Sequence, residues 1–281
     1  MSAQEMPSLP KETGEVIQRL IQRKFEVDDL NTSFPNPLLR EDVLALLDRY
    51  CTVVYYPLEG EKNNGFHVKI PDVSGEERHF VYINTAQTIE KQAFTAAHEL
   101  GHIWKVDQHV AEQCGLLLDE ELGERIINRF TAELLIPEGW FRRLYLQEYR
   151  RWQRSDGKII VRDMFKVIVA LMDQFFAPAK SIIYRCWELE YIGGPGCELL
   201  LGENPKLPKR IIDSVIQEII RDNGYTQFQT PTNKRSINGL AELLNRAEAQ
   251  GCVSQGKIEH LRALFDLRPP VTDEQIDELL N

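Results

Sequence analysis

What the sequence lacks narrows its class first. No stretch approaches the roughly 20 apolar residues that a helix needs to cross a bilayer. The opening Met-Ser-Ala-Gln-Glu-Met-Pro shows no basic segment leading into an apolar one, so the expectation is a cytoplasmic protein with no membrane association. Cysteine is sparse: five residues, Cys51, Cys114, Cys186, Cys197 and Cys252, an odd number with no Cys-x-x-Cys. That pattern excludes a disulfide framework and a cysteine zinc site, and leaves buried thiols as the expectation. Positive charge is also short, with 33 Lys and Arg against 43 Asp and Glu and a net charge of −10. Neutralising a phosphate backbone needs clustered cations, so the balance argues against direct nucleic-acid binding. The chain has the length and apolar content for a sizeable core: 281 residues, 43% hydrophobic and 27% charged.

Against that background the few histidines are informative, because two of the six fall in Thr88-Ile-Glu-Lys-Gln-Ala-Phe-Thr-Ala-Ala-His-Glu-Leu-Gly-His102. His98, Glu99 and His102 form His-Glu-x-x-His. Phe94, Ala97, His98, Gly101 and His102 recur at the three-and-four spacing of one helix face. A helix therefore turns both imidazoles to one side, where they can bind one zinc ion, and stands Glu99 beside it to accept a proton from water. The bland alternative is a solvated helix face. Gly101 inside the helix costs about 1 kcal/mol relative to Ala, which suggests a close backbone approach there.

Along the chain, Val16, Ile17, Leu20 and Ile21 mark a helix over 12–24, and a second runs from Glu41 to Tyr50. Thr52–Tyr56, Phe66–Ile70 and Arg78–Asn84 read as strands separated by turn signals at Asn64-Gly65 and Ser74-Gly75. The expectation is an α+β fold: a small antiparallel sheet of three strands packed on the His-bearing helix, with an edge strand able to take an extended peptide. After Trp104 a polar loop is expected, then a helix from Asp119 to Ile136 stopped by Pro137.

A catalytic zinc takes three protein ligands and keeps one position for water. His109 fails as the third, because the metzincin pattern needs a glycine seven and a histidine ten residues after His98, where this chain has Lys105 and Gln108. Glu124 and Glu133 fall on opposite sides of their helix, so only one can face the metal. Glu124, Asn128 and Thr131 form a polar stripe on one face; Glu120 and Glu121 stay open as ligands.

Together, Phe80-Val-Tyr-Ile-Asn84, the His98 to His102 motif and Glu124-Arg-Ile-Ile-Asn-Arg-Phe-Thr-Ala-Glu-Leu-Leu-Ile-Pro137 resemble the ImmA/IrrE family of metallo-endopeptidases. Ser181-Ile-Ile-Tyr-Arg-Cys-Trp-Glu-Leu189 is similar to a later helix of that family, with Ile and Cys at two usual positions. The resemblance spans about residues 40 to 192. It implies a gluzincin-like zinc endopeptidase with Zn2+ on His98, His102 and Glu124, Glu99 as catalytic base and, as its protein partner, a helix-turn-helix repressor of the XRE type, often encoded in mobile elements. Asn128 is placed to orient a ligand. The alternative is a non-proteolytic zinc-containing protein that regulates a transcription factor by association.

Helical patterning continues from Glu138 to Tyr191, where Arg142, Arg143, Arg150, Arg151 and Arg154 interleave with Tyr145, Tyr149 and Trp152. An amphipathic helix with its aromatics inward explains them better than a nucleic-acid surface. Gly193-Gly-Pro-Gly196 reads as a linker. The expected organisation is an N-terminal helix and loop over 1–40, a metallopeptidase-like domain over 41–192 and a helical module over 197–281. In that module Ser236 and Ser254 are candidate caps, and Thr272-Asp-Glu-Gln275 opens a last helix.

Overall fold

In the computed structural model, residues 9–33, 36, 38–60, 64–71, 75, 77–225 and 229–267 are described. The Thr272-Asp-Glu-Gln275 helix start lies outside them. The order of elements is α1 (Lys11–Val27), α2 (Leu30–Ser33), α3 (Asp42–Asp48), β1 (Thr52–Tyr56), β2 (Gly65–Pro71), β3 (Glu77–Asn84), α4 (Ile89–Ile103), α5 (Val106–Cys114) and α6 (Glu120–Leu135). There follow α7 (Glu138–Trp152), α8 (Val161–Phe175), α9 (Ala179–Glu188), α10 (Gly194–Leu201), α11 (Lys209–Asp222), β4 (Ser236–Ile237), α12 (Leu240–Ala249) and α13 (Gln255–Leu264).

The α+β class is as expected, but the sheet is mixed and has four strands in the order β2-β3-β1-β4. It is not the antiparallel meander of three strands. β1 runs parallel to β3, with Val53 opposite Val81, while β2 forms an antiparallel hairpin with β3 and ends at the edge. Side-chain chemistry explains the arrangement. β3 carries the unbroken run Val81-Tyr-Ile-Asn84, all buried, and takes an interior place; β2 alternates and keeps Phe66, Val68 and Ile70 exposed, as an edge strand can. Ser236, expected to cap a helix, instead pairs with Tyr55 in β4, and α12 begins only after Gly239 turns the chain at φ +73°.

Two further stretches differ from the sequence reading. The polar loop after Trp104 holds helix α5, whose Val106, Val110 and Ala111 are buried on one side; Lys105, at φ +52°, breaks it from α4. The Gly193–Gly196 linker is the first turn of α10, where Pro195 occupies an early helical position that needs no N–H partner. Cys197 and Leu200 of α10 and Ile212, Ile216 and Ile219 of α11 share the main core with α8 and α9, while Leu240, Leu244 and Phe265 make a smaller cluster against Tyr56 and Ile237. Cys186 and Cys197 are buried thiols as expected, whereas Cys252 is exposed. In α7, Phe141 and Tyr145 are buried and the arginines lie outside. Among the described residues no single helix is long and apolar enough to cross a membrane.

A polar strap fixes the start of α4. The backbone N–H of Ile89 donates to Thr230 O (3.0 Å), that of Gln229 to the carboxylate of the buried Glu90 (2.8 Å), and the Thr85 hydroxyl to Lys234 O (2.8 Å). Residues far along the chain thus hold the helix that bears the histidines against the sheet.

Candidate metal centre

The site is built where α4 crosses α6. Gly101 permits that crossing: a Cβ at this position would stand 2.9 Å from the Phe130 ring and 3.2 Å from Ile127, both on α6. This is the close approach that a glycine in mid-helix suggested. α6 starts cleanly because Asp119 Oδ1 accepts from the N–H of Leu122 (2.8 Å), satisfying one of the free donors of its first turn.

Across the crossing, His98 Nε2 and His102 Nε2 are 3.2 Å apart; Glu124 Oε2 lies 3.4 Å from the first and Glu124 Oε1 3.4 Å from the second. Ligand atoms held tetrahedrally about 2.0–2.1 Å from one ion stand about 3.3 Å from one another. The imidazole pair and each imidazole–carboxylate contact are close to that spacing, each histidine meeting a different oxygen of Glu124, and one ligand atom from each side chain lies within 4.8 Å of the other two, so the donor set is compatible with a divalent metal. Among the described residues, this is the only group of three or more such side chains so gathered. Burial, followed by the neighbouring His102, pulls His98 below the ordinary histidine value, and Glu124 and Asn128 oppose that pull.

Glu99 is buried beside this cluster, and burial, followed by the charge of Glu124, pushes its carboxyl up to about 7. A divalent cation on the three ligand atoms acts in the opposite sense. Glu99 shares one open cleft with His98, His102 and Glu124, together with His67 and Lys69 of β2 and Lys105, Asp107 and Gln108 at the start of α5.

The other candidates lie elsewhere. Glu133 faces the interior and is satisfied there by Arg129, Arg185 and Gln18. Glu120 and Glu121 line a second groove with Arg125, Lys180 and Tyr184, which meets the cleft at Glu124. Thr131 is fully buried and donates to Ile127 O (2.8 Å), so of the polar stripe on α6 it is Glu124 that lines the cleft. The exposed His260 lies on α13. Sequence reasoning passed over His67 and Lys69, although the alternation in Phe66–Ile70 places the two on a single face.

In comparison with known families, residues 48–185 match the Peptidase_M78 model, described as the IrrE N-terminal-like domain. No curated protein matches the chain.

Proposed function

Through residues 48–185 the chain belongs to the ImmA/IrrE family of metallopeptidases, and on that premise we propose that it is a zinc-dependent endopeptidase that cleaves or inactivates a helix-turn-helix repressor of the XRE type. The observation that carries the reading is the convergence of His98, His102 and Glu124, with one ligand atom from each within 4.8 Å of the others and Glu99 in the same cleft. Two imidazoles and one carboxylate form the ligand set of a zinc peptidase, and the open cleft leaves solvent and substrate room to reach the ion. When bound, zinc supplies Lewis-acid chemistry: it makes water a nucleophile near neutral pH and polarises a carbonyl.

The chain's own residues then do the rest. Glu99 takes the proton of the attacking water on its carboxylate and hands it to the departing amine nitrogen. Its burial favours the task, because burial raises the proton affinity of the carboxyl and so offsets the pull of a bound cation in the other direction. Asn128, one turn beyond Glu124 on α6, is the side chain assigned to orient a ligand. β2, at the edge of the sheet and lining the cleft through His67 and Lys69, offers its outer backbone groups to an extended substrate by strand addition. The substrate class rests on the family resemblance, and a repressor implies a cytoplasmic site of action.

The test uses Glu99→Gln and the helix-turn-helix protein encoded nearest the gene, incubated together and followed by gel electrophoresis. Wild type is expected to cleave that protein and to stop when a chelator is added. The variant is expected to hold one zinc per chain and to lose about 10²–10⁴-fold in rate. Undiminished cleavage by Glu99→Gln contradicts the mechanism. Zinc binding with no cleavage by wild type, and unchanged regulation by the variant, supports the non-proteolytic alternative instead.

A further inference from the structure

Attack on a peptide bond builds negative charge on the carbonyl oxygen, and a donor fixed where that charge develops is worth about 10²–10³ in kcat. Besides the metal ligands, the cleft side chains able to donate a hydrogen bond are His67, Lys69, Lys105 and Gln108. Lys69, Lys105 and Gln108 are exposed, and each must give up side-chain freedom to hold one position. His67 is half-buried and already held: its Nε2 lies 2.8 Å from Nδ1 of His79 on β3, with the two rings stacked at 4.9 Å between centroids. Their strand positions are diagonal across the hairpin, His67 opposite Val81 and His79 opposite Lys69. Tyr82, the nearest phenol on these strands, is turned to the other face and spends its hydroxyl on Tyr56 O (2.8 Å).

We propose that His67 donates the hydrogen bond that stabilises the oxygen of the scissile carbonyl, and that His79 is the residue that positions it. The proposal rests on the peptidase reading above. When His79 Nδ1–H donates to His67 Nε2, the proton of the neutral His67 ring resides on its Nδ1, which makes that ring a donor. In the reverse arrangement His67 Nδ1 is an acceptor, so an oxygen gathering negative charge selects the first. The exchange needs no proton to leave His67; it donates a hydrogen bond and keeps its hydrogen. Burial, then His79, Lys69 and His102, brings His67 down to about 4 against the weaker pull of Glu77. The ring is thus uncharged near neutrality and does not repel the cation, the situation in which a neutral imidazole serves as an electrophile.

The test compares zinc-loaded wild type, His67→Leu, His67→Gln and His79→Ala using two probes. N-phosphoryl-Leu-Ala presents a tetrahedral oxyanion, and acetohydroxamate is a flat chelator. All four proteins are expected to hold one zinc per chain and to bind acetohydroxamate within about twofold of one another, since none of these changes touches a ligand. His67→Leu is expected to weaken the phosphoryl dipeptide about 100-fold; His67→Gln, which keeps a donor, about 10-fold; and His79→Ala by a factor between the two. In the cleavage assay the same order appears in kcat, with KM little changed. Zinc uptake with phosphoryl affinity unchanged in His67→Leu overturns the role of His67 alone. If wild type takes up no zinc, the peptidase reading falls and takes this role with it.

Discussion

Helix α6 carries two glutamates nine residues apart, and the protein uses its two faces for opposite ends. Glu133 has a side chain 1% exposed and is saturated with partners: Arg129 Nη2 at 2.7 Å, Arg185 Nη2 at 2.9 Å and Gln18 Nε2 at 3.2 Å. Arg185 is itself fully buried, extends the network to Glu188 (3.1 Å) and donates to Ile136 O (3.2 Å), tying α6 to α9. Glu124 has a side chain 49% exposed and meets the two imidazoles across the crossing, each at 3.4 Å. The same residue type is thus structural where its charge is already matched and available for a metal where it is not. A carboxylate whose oxygens are all engaged by guanidinium groups has nothing left to offer a cation; one that faces imidazole nitrogens does.

If that contrast holds, the variants separate by stability. Arg185→Ala strands the carboxylate of Glu133 in the interior and is expected to lower unfolding free energy by about 3–5 kcal/mol, read by denaturant titration. A small loss there breaks the contrast. Gly101→Ala probes the place where the two faces share one helix crossing. The clash of the added methyl with Phe130 and Ile127 outweighs the better helix preference of Ala, for a net loss of about 1–2 kcal/mol. Because it shifts α4 against α6, it is also expected to weaken zinc binding, and an unchanged zinc affinity would show that the crossing does not set the ligand spacing. Glu124→Ala closes the series. It is expected to change the stability of the metal-free protein by no more than about 0.5 kcal/mol while abolishing stoichiometric zinc uptake. Metal analysis beside the melt separates it from the other two.

The same contrast explains what was legible beforehand. His98, Glu99 and His102 lie within five residues on one helix, so a local period fixes their geometry and the sequence displays it. Glu124 is distant in sequence. Spacing within α6 could reject its coexistence with Glu133 on one face, but only the family resemblance pointed to Glu124. Partner matching, the property that separates the two, is tertiary: it depends on Gln18 of α1 and Arg185 of α9. The strands were legible as strands, yet their order was not, because a period of two says which residues share a face and nothing about which strand lies between its neighbours. Two clues were readable and outweighed. The unbroken Val81–Ile83 run suits an inner strand, and Val106, Val110 and Ala111 suit a helix where polar residues suggested a loop. Gly194-Pro-Gly196 misleads for a different reason. Pro is as much at home in the first turn of a helix as in a linker, and only the buried Cys197 and Leu200 that follow decide between them.

The central claim is that three side chains from α4 and α6 hold a single divalent ion. Anomalous diffraction at the zinc edge, from crystals of protein purified with zinc, tests it most directly. The account predicts one strong peak per chain within bonding distance, about 2.0–2.2 Å, of His98 Nε2, His102 Nε2 and a carboxylate oxygen of Glu124. A zinc peak anywhere else, or one at the histidines with Glu124 turned away and no other carboxylate in its place, contradicts it.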